Sequence, residues 1–350
     1  MNLAELAGAC IMTGFCGATL DDPQCRADVQ LLKDLHIKGV ILFDTHLPTG
    51  GMRNIVSEDQ VRQLTENLRN ELGDDLIIGI DQEGGQVNRL SLFQDNAVSE
   101  QLSAKMQGAM SQHQLSATIE PVAKALSDAG INLNFAPCVD LAINPDNPII
   151  AGKGRSMGRD PDRVVKAAMT IVQTYHDHGV GCCIKHYPGH GSTTVDTHLG
   201  LADMTQTHTH DETEVFSTLI QAMHSQTMPI AAIMSGHLID KRIDPDHPAS
   251  LSHAHINTTL RSKHNFDGLI FTDSLDMNAI ESQWNAGEAS KLAILSGADI
   301  AVHGFNAHDQ TDHPATQMHR ALHKMLEHMD PDVAGKLKAT NLRRRQSMFQ

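Results

Sequence analysis

The chain has 350 residues, 40% of them hydrophobic and 20% charged, an ordinary globular composition that excludes extended disorder and fibrous structure. Lys and Arg number 27 against 42 Asp and Glu, and the formal charge of -15 repels phosphate backbones, which argues against sequence-independent nucleic-acid binding. No apolar run reaches about 18 residues, and the opening stretch MNLAELAGACIMTGF carries Glu5 with no Lys or Arg before its short apolar part, so neither a membrane span nor a secretory leader is expected and the chain reads as cytoplasmic.

In chain order, short apolar, β-rich runs recur as ACIMTGF (9–15), GVILFD (39–44), LIIGID (76–81), LNFAPCVD (133–140), GCCIKHYPG (181–189), PIAAIMSGH (229–237), GLIFTD (268–273) and ADIAVHGF (298–305). Most are continuous rather than alternating, the pattern of parallel strands covered on both faces. Amphipathic, helix-compatible segments lie between them at 57–72, 118–129, 161–178 and 212–225. Strand and helix alternation with eight strands predicts a single (β/α)8 TIM-barrel domain of the α/β class; an open doubly wound sheet is the competing arrangement. Neither a Pro/Gly/Ser linker nor an internal repeat divides the chain, so one domain over 1–350 is expected, with the barrel over 8–310 and a helical closure over 311–350. The Gly/Pro-containing loop 45–55 (THLPTGGMRNI) should lie over the catalytic face, and the basic tail 336–350 (KLKATNLRRRQSMFQ) reads as a closing helix and fray. The six cysteines show no CxxC spacing and fit small buried hydrophobes.

In this fold, side chains where the strands stop face the active site. Asp81 and Glu83 follow LIIGI, Asp140 follows LNFAPCV, Lys185 and His186 follow CCI, His237 follows IAAIM, and Asp273 follows GLIFT. Each alone has a structural alternative: Asp273 or Asp276 as a helix cap, Asp81 and Glu83 paired with Arg89 on the surface, His186 as a satisfied core imidazole. Their convergence on one mouth is what points to chemistry. Neither Asp81 nor Lys185 is expected in the apolar core, so their removal should affect function more than stability.

The segment KHYPGHGSTTVDTH (185–198) is too rich in Gly, Pro, Ser and Thr for a helix. In an extended stretch Asp196 and His198 project to the same side, and an Asp beside an imidazole fixes its tautomer and stabilises its cation, as proton transfer requires. A structural Asp–His hydrogen bond is the alternative. The 22 histidines include HxH strings at His176/His178, His208/His210 and His253/His255, but none has a third ligand at fixed spacing, so no metal site is expected.

Taken together, GVILF (39–43), GIDQEGGQVNRL (79–90), NFAPCVDL (134–141), GRSMG (154–158), KHYPGHGSTTVDTH (185–198), MSGH (234–237), PASLS (248–252) and FTDSLDM (271–277) resemble glycoside hydrolase family 3, in its single-barrel bacterial β-N-acetylglucosaminidase type. The resemblance implies Asp273 as nucleophile and Asp196 with His198 as an acid/base dyad on a mobile loop. It also implies that Asp81, Arg89, Arg155, Lys185 and His186 clamp sugar hydroxyls. Met157 stands where the family usually has Phe, and the loop after GVILFD is longer than in short members that recycle cell wall.

A retaining exo-β-N-acetylglucosaminidase acting on peptidoglycan-derived or chitin-derived oligosaccharides is therefore expected. It would pass through a glycosyl-aspartate, with no cofactor, as a monomer or homodimer with no nucleic-acid or membrane partner. Phosphorolysis or β-glucosidase activity within the same family, a metal-dependent barrel hydrolase and a non-catalytic sugar-binding protein are the alternatives.

Overall fold

In the computed structural model, which describes residues 1–47, 49–197, 200–305 and 313–348, eight parallel strands follow one another around a barrel. They are β1 (Ile11–Thr13), β2 (Gly39–Leu42), β3 (Ile77–Ile80), β4 (Leu133–Asn134), β5 (Gly181–Tyr187), β6 (Ala232–Ser235), β7 (Ile270–Thr272) and β8 (Ala301–His303). Each of the eight apolar runs supplies one strand. The ring closes where Phe271 of β7 bridges Ile300, and Thr272 N donates to Ile300 O. An open doubly wound sheet would leave β7 and β8 apart.

Period-two alternation separates two apolar layers even in continuous runs. In β2, Ile41 joins an inner cluster while Val40 and Leu42 face the helices; in β3, Ile77 is inner and Ile78 and Ile80 outer. Phe135 and Phe271 meet edge to face across the interior at 5.4 Å, and Gly79 makes room for them, since a Cβ there would lie 2.8 Å from the Phe135 ring.

The surrounding helices start where side chains can satisfy their first amides. Ser57 caps the helix Glu58–Leu72 through Gln60 N, and Asp160 caps Pro161–Asp177 through Asp162 N. The helix expected at 118–129 begins earlier, as Gln112–Asp128, because Ser111 and Gln114 form a capping box. Among the described residues no helix is long and apolar enough to cross a membrane.

Loop 45–55 lies at the mouth, as expected, and is ordered by its second half. A hairpin of two-residue strands pairs Thr45–His46 with Gly51–Met52, after which Arg53 and Asn54 turn inward. Arg53 Nε donates to Phe15 O at 3.0 Å, and its Nη2 donates to Gly304 O at 2.9 Å. The loop is thereby tied to the exits of β1 and β8.

The closing helix expected in the basic tail is present and is anchored more deeply than a fraying end would be. Helix Pro331–Ser347 closes the N-terminal mouth of the barrel, and its Arg345 is buried. That guanidinium donates to Lys38 O (2.7 Å), Asp75 O (3.1 Å) and Ala9 O (3.3 Å), just ahead of β2, β3 and β1, and burial lowers its pKa to about 10. Arg344 pairs with Asp299 at 2.7 Å, and Met348 enters the inner apolar cluster beside Gly181. Arg345→Met would remove the guanidinium from three backbone carbonyls, of which Lys38 O keeps a bond from Ile77 N, so we expect a loss of about 1–3 kcal/mol in unfolding free energy, read by urea titration.

Candidate active site

The opposite mouth is built on the exits of β3 and β5. After β3, the Gln82 side chain accepts from Arg89 N at 2.8 Å and donates to Asn88 Oδ1 and Gln101 Oε1, folding the EGGQVNR loop back on itself. That fold leaves Asp81 and Glu83 within reach of Lys185 at the end of β5. At the end of β5 the register slips: Lys185 pairs with Met234 but Tyr187 with the next residue, Ser235. The extra residue in this bulge is His186, so both Lys185 and His186 reach charged partners at the mouth.

Those partners form one continuous chain. Lys185 Nζ lies 2.6 Å from Asp81 Oδ1 and 2.7 Å from Glu83 Oε1, and Arg155 grips Glu83 with two bonds of 2.8 Å. Arg155 Nη2 is 3.2 Å from His186 Nε2, and His186 Nδ1 is 2.6 Å from Asp140 Oδ2. Asp140 also accepts from the amides of His186 and His190. His190 Nδ1 in turn meets Thr193 Oγ1 at 2.7 Å.

Charge compensation decides the protonation states. Burial opposes ionisation of Glu83, but Arg155 and Lys185 outweigh it and hold the carboxyl well below the ordinary range. Glu83 therefore stays ionised and has no proton to give. Burial likewise opposes the Asp140 charge, and His186 and His190 overcome it, lowering the pKa to about 2. His190 is pushed down to about 4 by burial and is neutral near pH 7.

Asp273 stands directly after β7, with Oδ1 accepting from Ser274 N at 2.8 Å and its own amide donating to Ser235 O. The following short helix, Asn278–Glu281, has Met277 at its N-cap, so neither Asp273 nor Asp276 plays the capping role. Beneath Asp273, buried His237 places Nε2 2.8 Å from Ser274 O and Nδ1 2.8 Å from Ser250 Oγ. Because a carbonyl only accepts, Nε2 carries the hydrogen, and burial keeps this ring's pKa low against the pull of Asp273. Asp196 lies in the loop after β5, and the next residue's carbonyl, Thr197 O, accepts from Ala279 N at 3.4 Å. That bond ties the Asp196 loop to the segment following Asp273. His198 lies outside the described residues.

Asp81, Lys185, Arg155 and His186 are thus joined in one network. Arg89 stands apart, 3.3 Å from Asp44 Oδ1 and over the Phe43 ring. The surface pairing of Glu83 with Arg89 is not what forms. Lys185 is also more deeply set than expected, 2% exposed, so removing it would unpair two carboxylates and cost stability as well as binding. The sequence places Asp140 at a strand end facing the mouth but assigns it no role; the structure makes it the partner of His186 and of the His190 amide. Gln82 and Asp44 left no signal beyond their neighbours.

Among the described residues, one set of His, Cys and acidic side chains is close enough to share a cation: Cys138, Asp140 and His186. Asp140 Oδ2 already accepts from His186 Nδ1 and lies 3.3 Å from Cys138 Sγ, while burial and Asp140 push the thiol pKa well up. A cation would have to displace these donors, so the set fits a hydrogen-bonded hub rather than a metal centre.

With this geometry in place, comparison with known proteins gives the lineage. The glycosyl hydrolase family 3 N-terminal domain matches residues 17–329, and the chain belongs to that family. β-Hexosaminidase A of Pseudoalteromonas piscicida is 30% identical over 334 residues, covering 86% of this chain and 53% of its own length. Among solved structures, a glycoside hydrolase family 3 β-N-acetylglucosaminidase from Paenibacillus sp. superposes with a TM-score of 0.84 at 28% identity, over 99% of this chain and 63% of that one. The β-N-acetylhexosaminidase of Beutenbergia cavernae gives 0.83 at 26% identity, over 99% of this chain and 98% of that one. The chain spans little more than half of the first relative and under two thirds of the second, but nearly all of the third.

The Asp140 shift sets a pH dependence. Its folded pKa of about 2 lies below the ordinary 3.8, so its stabilisation is complete above 3.8 and is lost as pH falls toward 2. Asp140→Asn should be less stable than the parent protein at neutral pH, and the gap in unfolding free energy should close across that window. Denaturant titrations of both proteins at several pH values would check it.

Proposed function

We propose that the protein is a retaining exo-β-N-acetylglucosaminidase that removes terminal β-linked N-acetylglucosamine from soluble peptidoglycan-derived or chitin-derived oligosaccharides. The observation that carries this reading is the linked chain Asp81, Lys185, Glu83, Arg155, His186 and Asp140 at the mouth where Asp273 ends β7. Such a chain offers fixed donors and acceptors to sugar hydroxyls without needing a cofactor or metal. The names of the similar enzymes favour an N-acetylhexosamine in that place. The cytoplasmic location and the single catalytic domain expected from sequence belong to the same reading.

In the proposed reaction a carboxylate oxygen of Asp273 attacks the anomeric carbon as His198, oriented by Asp196, passes its proton to the leaving glycosidic oxygen. The aglycone departs and a glycosyl-aspartate remains. His198, now neutral, takes a proton from water, whose oxygen replaces Asp273 and restores the β configuration. An imidazole with an unperturbed pKa of about 6.5 can serve both steps near neutral pH. Asp81, Lys185, Arg155 and His186 hold the sugar hydroxyls, and Arg89 borders the group from the Phe43 side. Glu83, locked between two cations, is unavailable as the acid, which strengthens the case for His198.

Asp273→Asn should lose several orders of magnitude in turnover while still binding sugar, whereas Asp276→Asn should be much milder. A slow fluorinated N-acetylglucosaminide should leave a covalent adduct on the peptide holding Asp273, visible by mass spectrometry. Equal losses at the two positions would contradict the assignment.

His198→Ala should slow natural disaccharides by about 10²-fold to 10⁴-fold and dinitrophenyl glycosides far less in kcat/KM. Azide, which needs no deprotonation, should restore turnover of the activated substrate as the β-glycosyl azide. A uniform loss with no azide rescue would show that His198 only shapes the loop.

A further inference from the structure

The loop after β5 has two glycines at its root, and the structure gives each a reason. A Cβ on Gly191 would lie 1.7 Å from Leu141 O. Gly189 has φ +131°, and a Cβ there would come within 2.5 Å of Glu212 Cβ. The root is therefore held between the strand exit at Leu141 on one side and Glu212 on the other.

Glu212 is the third residue of the helix His210–His224 and is 1% exposed. One carboxylate oxygen, Oε2, accepts from the Thr209 amide at 3.0 Å and the Thr209 hydroxyl at 3.1 Å, the usual work of an acid at this position of a helix. The other, Oε1, accepts from Ser192 N at 2.9 Å. An acid that only capped its helix would leave this oxygen to water. Here it is given to the loop, four residues before Asp196.

Displacement of the root has a path to the tip. His190, beside the clamped glycines, holds Thr193 Oγ1 through Nδ1 at 2.7 Å and reaches Thr197 Oγ1 with Nε2 at 3.4 Å. Asn147 Nδ2 adds a bond to His190 O at 2.8 Å. Thr197 immediately precedes His198.

We infer that Glu212 is a positioning residue for the acid/base loop: through Ser192 N it fixes the root from which Asp196 and His198 are presented to the glycosidic oxygen. The inference rests on the acid/base reading above. It separates two jobs of one carboxylate, helix capping and loop anchoring, and they can be measured apart.

The test compares kcat/KM for N,N'-diacetylchitobiose, whose leaving group needs a proton, with that for a dinitrophenyl β-N-acetylglucosaminide, whose leaving group does not. Melting temperatures are recorded alongside. Glu212→Ala should lose roughly tenfold to a hundredfold on chitobiose and under about threefold on the activated substrate. Thr209→Ala, which weakens the cap alone, should lower the melting temperature without any such split. Glu212→Gln, whose carbonyl can still meet Ser192 N, should regain most of the chitobiose rate while staying less stable. If Glu212→Ala does not fold, Glu212→Asp, which keeps the charge and draws it back by one methylene, should show the same split.

Loss of both substrates in one ratio by the Glu212 variants, while His198→Ala splits them, would overturn this inference and leave the acid/base reading standing. No split in His198→Ala itself would overturn both.

Discussion

The pairing of Glu83 with Arg155 and Lys185 is the constraint on which the mouth of the barrel depends. Three charges are removed from water there, and burying any one of them alone would be strongly unfavourable. They are tolerated because each completes the others: two bonds from the guanidinium, one from the ammonium, and a second carboxylate, Asp81, to balance the cations. The result is an array of charged groups held together at the C-terminal mouth. On the proposed reading, a sugar entering it would meet groups largely desolvated on folding, the sense in which such a site is preorganised.

The two ends of the barrel show contrasting uses of the same chemistry. At the N-terminal end Arg345 spends its guanidinium on backbone carbonyls before three strands, and Met348 fills the opening. At the other end Arg53 still serves carbonyls, but Lys185, Arg155 and Arg89 face carboxylates, and the loops after β2, β3, β4 and β5 supply the partners. Asp140 and Glu212 work between these extremes: each is a buried carboxylate that holds backbone amides of the loop after β5, Asp140 at His190 and Glu212 at Ser192. The loop is thus ordered at its root by acids that need not touch substrate.

Much of the architecture was legible because parallel strands covered on both faces read as continuous apolar runs, as most of these do, and each of the eight runs supplies one strand. Helix starts were less so: periodicity placed one helix at 118, whereas the capping pair Ser111 and Gln114 begins it at 112. The closing helix of the tail was legible, but the burial of Arg345 within it was not. RRR near a chain end looks like a solvated charge run, and only the proximity of the strand starts shows that Arg345 is buried. In the site, the candidate residues stood at strand ends, which local sequence reveals. Their partners did not, since Glu83 and Arg155 are 72 positions apart and nothing in local spacing joins them. The nearer Arg89 was the natural guess, and it pairs with Asp44 instead. Met157, the departure from the family pattern, is buried beside this network and fills its place as a flexible apolar side chain.

The central claim is that Asp273 and the loop after β5 carry out two successive displacements on opposite faces of one anomeric carbon. The stereochemistry of the first product reports this directly. Proton NMR of a β-N-acetylglucosaminide mixed with a large amount of enzyme, recorded before mutarotation, should show the β-anomer of N-acetylglucosamine appearing first and the α-anomer only later. Initial release of the α-anomer would mean a single displacement by water, and would contradict the covalent role of Asp273 and the account built on it.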